Sequence, residues 1–178
     1  MKKLLFTIAM VVGFSSVSQA GLLLEPYLGY EAGKYSMSGF DAKPSGTVLG
    51  LRLAYSIPMF WFGIDASSSN GKINPETSGT NNDAYTRSVL GAVVGVEFPI
   101  LLRAWVGYGF SNKLANKDVS NSDLTGTSTK FGIGFTGLPL VSLNLEMITD
   151  SYDKVNDVAV SGISSSGYVL SVSLPLDL

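Results

Sequence analysis

From Leu22 onward, apolar and polar residues alternate with a period of two, in eight separate segments. In the first, Leu22, Leu24, Pro26, Leu28, Tyr30 and Ala32 share one parity, opposite Glu25, Tyr27, Gly29, Glu31 and Gly33. The second sets Leu49, Leu51, Leu53, Tyr55 and Ile57 against Gly50, Arg52, Ala54 and Ser56. Further apolar stripes begin at Phe60, Leu90, Leu102, Phe131, Val141 and Tyr168. Successive side chains of a strand point to opposite faces, so each segment reads as a strand with one apolar face. No charged residue falls in any of these stripes, and every strand charge lies on the opposite face. No segment after residue 20 has the run of about 18 apolar residues that marks a spanning helix.

Two kinds of connection alternate along the chain. Pro58, Pro99 and Pro139 mark short turns after the second, fourth and sixth strands. The other connections are long and rich in Ser, Asn, Asp, Gly and Thr: about Tyr35–Gly46, Ser68–Arg87, Ser111–Ser128 and Asp153–Ser166. These segments are expected as loops. The pattern predicts an all-β fold, an eight-stranded antiparallel up-and-down transmembrane β-barrel, forming one domain over residues 21–178.

Residues 1–20 read differently. Lys2 and Lys3 precede an apolar run from Leu4 to Phe14, and Ser18-Gln19-Ala20 closes the segment before Gly21. This is the layout of an export signal, with cleavage expected after Ala20. The run is too short for a retained membrane helix, which needs about 20 apolar residues.

Composition then narrows the function classes. Charged residues make up 15% of the chain and hydrophobic ones 46%, a low charge content for a soluble domain, where about 25% is usual. With 12 basic and 14 acidic residues there is no basic face for nucleic acid. The chain has no His and no Cys, which removes Ser-His-Asp catalysis, thiol nucleophiles and the usual zinc ligands. No metal or other cofactor is expected.

Alternation alone leaves two barrels open. A soluble secreted lipocalin-like ligand-binding barrel would bury the apolar stripes and show the charged face to water. Three features favour the reverse arrangement, with the apolar stripes facing lipid. The polar face is mostly Gly, Ser and Ala with single charges of both signs, which suits a narrow interior better than a solvated surface. Short turns at one end and long connections at the other match the asymmetry of outer-membrane barrels. Tyr30, Tyr55, Phe60, Phe98, Tyr108, Phe110 and Tyr168 stand towards stripe ends, where interfacial aromatic girdles are expected.

The opening LLLEPYLGYEAGKY, the eight alternating strands and the final stripe Tyr168, Leu170, Val172, Leu174 and Leu176 resemble the small outer-membrane β-barrel superfamily, which includes OmpX and the OmpA membrane domain. The resemblance covers residues 22–178 and rests on pattern. The family's last strand usually closes on Phe, where this chain has Leu178. It implies residence in the bacterial outer membrane, with outer-membrane lipids and lipopolysaccharide as surroundings and the barrel-assembly machinery as a partner in biogenesis. The family's lipid A-modifying and proteolytic barrels resemble His-dependent enzymes, and without His those activities do not carry over.

The residues with most chemical interest are the lumen-facing charges Glu25, Glu31, Arg52, Asp65, Glu97, Arg103, Lys130 and Glu146. A two-residue turn at Pro58-Met59 sets Arg52 opposite Asp65, and the same register pairs Leu53 with Ile64 and Tyr55 with Phe62. A three-residue turn at Pro99-Ile100-Leu101 sets Glu97 opposite Arg103. One at Leu138-Pro139-Leu140 leaves Lys130 and Glu146 diagonal. Buried charges must be paired, so the set reads as a plug of ion pairs across the lumen. A small ion or solute channel is the competing use of the same charges. The polar connections carry no EF-hand spacing and read as surface with a structural or interaction role, in envelope integrity, adhesion or lipopolysaccharide contact.

Overall fold

The computed structural model describes residues 21–37, 40–75, 83–117 and 123–178. The expected export signal at 1–20 lies outside the described residues. The strands are β1 (Gly21–Met37), β2 (Phe40–Ile57), β3 (Phe60–Pro75), β4 (Asp83–Phe98), β5 (Leu102–Asn116), β6 (Leu124–Phe135), β7 (Ser142–Val155), β8 (Val158–Ser173) and a two-residue β9 (Leu176–Asp177). Each of β1 to β8 pairs antiparallel with its sequence neighbours, and β1 also pairs with β8, which closes an up-and-down barrel. β9 continues the line of β8 past Leu174-Pro175 in unchanged register: Tyr27 faces Ser173, and Leu24 faces Leu176. The barrel therefore has eight staves, as the alternation predicts.

Its facing is the lipid-barrel one. Leu49 (63% exposed), Leu145 and Leu170 stand outside, while Trp61 and Arg52, at 0% and 1% exposed, point into the lumen. A soluble lipocalin-like barrel requires the opposite and is excluded by this arrangement. The seven aromatics expected in girdles, Tyr30, Tyr55, Phe60, Phe98, Tyr108, Phe110 and Tyr168, all lie on the outer surface.

The lumen is filled in layers. Near the short turns Leu23, Ala54, Trp61, Val93 and Trp105 pack together. The two indoles fit because each lies across a directly paired glycine. Trp61 covers Gly95 and Trp105 covers Gly132, and a Cβ at either glycine would sit 2.3 Å or less from an indole carbon. Tyr27, Val48, Ile148 and Val169 form a middle layer. At the opposite end Tyr35, Ala42, Tyr85, Leu114, Leu124, Tyr152 and Ile163 cap the interior.

The long polar segments expected as loops are largely strand, which corrects the sequence reading. The β2–β3 ladder runs without interruption to Ala42 and Pro75, and β4–β5 pairing reaches Tyr85 and Asn116. The segment Asp153–Ser166 is a hairpin closed by Asn156-Asp157, whose φ values of 49° and 65° give the doubly left-handed geometry that matches strand twist. The physical reason is that period two reports burial contrast and not hydrogen bonding. Above the apolar band the outer face turns polar, with Lys72 and Lys113 exposed while Tyr35, Tyr85 and Leu114 point inward, so the outward stripe ends while the ladder continues.

Candidate functional site

Arg52 occupies an inward position on β2, directly opposite Glu25 on β1 and Asp65 on β3. Its guanidinium uses every edge. Nε donates to Asp65 Oδ2 at 3.0 Å, Nη1 to Glu25 Oε2 at 3.0 Å, and Nη2 to Glu146 Oε1 at 2.9 Å. Glu146 belongs to β7, on the far side of the barrel, so this one side chain bridges the lumen. The guanidinium also lies 4.8 Å from the Trp105 ring and 5.1 Å from that of Tyr27, within cation–π range.

Two further cations complete the network. Arg103 on β5 donates through both terminal nitrogens to Glu25, and Nη2 also reaches Asn144 Oδ1 at 2.9 Å. Lys130 on β6 stands 3.3 Å from Asp65 Oδ1 and 3.7 Å from Glu146 Oε2, the diagonal pairing that the sequence predicts. Neutral donors use remaining lone pairs: Tyr27 OH donates to Asp65 Oδ1 and Trp105 Nε1 to Glu146 Oε1. Three cations thus face three carboxylates, all buried. A buried ion is tolerated when paired and hydrogen-bonded in this way.

A second cluster lies nearer the long hairpins. Arg87 on β4 donates through Nη2 to Glu31 Oε2 at 2.7 Å and through Nη1 to Asp150 Oδ2 on β7. Ser69 and Tyr85 hydroxyls also donate to Glu31, and the Tyr152 hydroxyl reaches Asp150.

Of the eight charges expected in the lumen, seven enter these two clusters. Glu97 does not. Its backbone faces Arg103 in the predicted register, but the Arg103 side chain turns to Glu25 and Glu97 stays half-buried, outside the ion pairs. The lumen is wider than one hairpin, and a central carboxylate held by two arginines outcompetes a cross-strand neighbour at the rim. Arg87 and Asp150 were missed because they fall in or beside segments read as loop. Parity would have found them: Arg87 shares the inward parity of Val89 and Val93, and Asp150 that of Glu146 and Ile148.

Together the two clusters and the apolar layers obstruct the interior at several heights. The buried carboxylates of both clusters are held by cations. This is the architecture of a plugged barrel.

Solved structures share the whole architecture. Neisserial surface protein A matches with a TM-score of 0.58 and 18% identity, over 87% of this chain and 97% of that one. The attachment invasion locus protein Ail of Yersinia pestis matches with a TM-score of 0.59 and 15% identity, over 89% of this chain and 100% of that one. The outer membrane protein OprG of Pseudomonas aeruginosa matches with a TM-score of 0.52 and 12% identity, over 90% and 98%. The chain has the fold of the small outer-membrane β-barrels. No family model and no curated protein matches it by sequence. For a small outer-membrane barrel fold that is physically reasonable. The constraints are an outward apolar stripe and a filled lumen, and many residue choices satisfy both.

Proposed function

We propose that this chain is a non-enzymatic integral protein of the bacterial outer membrane, exported through residues 1–20, with a structural or surface-interaction role. The observation that carries the reading is the pairing of an apolar outer wall with a lumen blocked by Arg52 and its three carboxylates. A wall of that kind has no stable place in water, and a lumen so filled serves no solute. What remains for contact is the polar surface that the hairpins raise above the apolar band. That surface suits envelope integrity, adhesion or lipopolysaccharide contact. The name of Ail, an attachment protein, fits the same use of this fold.

Localisation is the test. Because the chain has no cysteine, single cysteines report cleanly in whole cells. Lys72→Cys, on the long-hairpin end, should react with a membrane-impermeant maleimide, whereas Ile100→Cys, at a short turn, should not. Density-gradient fractionation should place both variants with the outer membrane. Recovery in the soluble fraction, or labelling at position 100 alone, would overturn the reading.

A further inference from the structure

The buried charges of the lumen do not cancel. The network around Arg52 balances, with Arg52, Arg103 and Lys130 against Glu25, Asp65 and Glu146. The upper cluster does not: the single cation Arg87 serves both Glu31 and Asp150. The remaining lysines of residues 21–178, namely Lys34, Lys43, Lys72, Lys113, Lys117 and Lys154, are all exposed, and every Lys and Arg of that span is among the described residues. An uncompensated negative charge in the lumen is costly enough to be neutralised, by a proton or by a counter-ion.

The same cluster contains the space for one. A cavity of about 30 Å³ has Glu31, Tyr85, Arg87, Asp150, Tyr152 and Ser165 on its polar side, with apolar residues such as Pro44 and Ile148 completing the lining. That is room for an ion together with a water, since one water needs roughly 10–15 Å³. On its wall Asp150, 1% exposed, keeps Oδ1 without a hydrogen-bond partner among the described residues. Ser165 is its directly paired neighbour on β8.

We propose that the upper lumen binds one monovalent alkali cation, held by Asp150 Oδ1 with hydroxyl and carboxylate oxygens of the same cavity. Water alone could bridge Asp150 Oδ1 to the unpartnered Arg87 Nε, but it would leave the charge in place. A divalent ion would overshoot a single surplus charge. Calcium also wants about six to eight oxygens, and among the described residues no group of three or more carboxylates is placed to hold a metal ion. The ion would be a structural counter-charge rather than a permeating one, because the lumen is blocked below it by Arg52 and above it by Tyr35, Leu114 and Leu124.

The test is the urea midpoint of the folded barrel in zwitterionic detergent, in NaCl, KCl or N-methylglucamine chloride at equal ionic strength. N-methylglucamine is too large for the cavity. Wild type should unfold at a midpoint that rises with the logarithm of sodium or potassium concentration, as ligand linkage requires. Asp150→Asn should lose that dependence and match or exceed wild type in N-methylglucamine. Identical wild-type midpoints in the three salts, sensitivity to pH but not to the cation, or a persisting cation effect in Asp150→Asn would each overturn the proposal. If Asp150→Asn does not fold, rubidium-soaked wild-type crystals decide. An anomalous peak bonded to Asp150 supports the site, and an empty cavity refutes it.

Discussion

Arg52 and Asp65 face each other directly across the β2–β3 hairpin, Nε to Oδ2 at 3.0 Å, and both are buried. They do not form an isolated pair. Arg52 also holds Glu25 and Glu146, while Asp65 is shared with Lys130. The two single mutants should therefore differ. Arg52→Met strips a cation from three carboxylates and should cost about 3–5 kcal/mol, whereas Asp65→Leu should cost less. The double mutant should be better than the sum of the two. Urea unfolding in detergent, arranged as a double-mutant cycle, measures the coupling, and strict additivity would refute the shared network.

The outward wall predicts a parity effect on β7. Leu145 faces outward and Asn144 inward, one residue apart. Leu145→Arg should cost roughly 2–4 kcal/mol if the position lies near the bilayer midplane. Nitroxide labels at the two positions should report lipid contact at 145 and a crowded, lipid-free site at 144. A label at 145 more accessible to water than to lipid would invert the facing.

Conduction should be negligible in the wild type. The purified monomer in a planar bilayer should show no large, stable single-channel steps. Arg52→Ala alone should remain closed, because the apolar layer around Tyr35, Tyr85 and Tyr152 still caps the opposite end. Steady large steps from either protein would show that the layers do not seal.

The extended hairpins predict slow amide exchange well outside the apolar band. Amides in the paired stretches 43–47 and 69–73 belong to the β2–β3 ladder and should be protected in detergent. Flexible loops would exchange within seconds. Hydrogen-exchange mass spectrometry separates the two outcomes.

The wall of this barrel was legible because lipid and lumen impose opposite demands on alternate residues. Pro58 and Pro99 then set the hairpin registers, so Arg52 opposite Asp65 and Glu97 opposite Arg103 could be counted out along the chain. Partnership across the lumen was not countable. Arg103 prefers Glu25, and Arg52 reaches Glu146, because side chains on distant strands converge in a narrow interior that no hairpin register describes. Above the band the outward face turns polar, which hid Arg87 and Asp150. On β5 an irregularity between Gly109 and Asn112 changes the inward parity outright, so even a strict count would have misplaced Asn112.

The seam between β1 and β8 joins the first stave to the last, with Leu22 and Leu178 exchanging backbone hydrogen bonds at the rim. Before that seam exists, a partly delivered polypeptide has two raw edges and a greasy flank, and no fragment of it can hide them. The barrel is closed only once the last stave has paired with the first. A product lacking its final stave keeps those edges unpaired and has no comfortable resting form in water or in lipid.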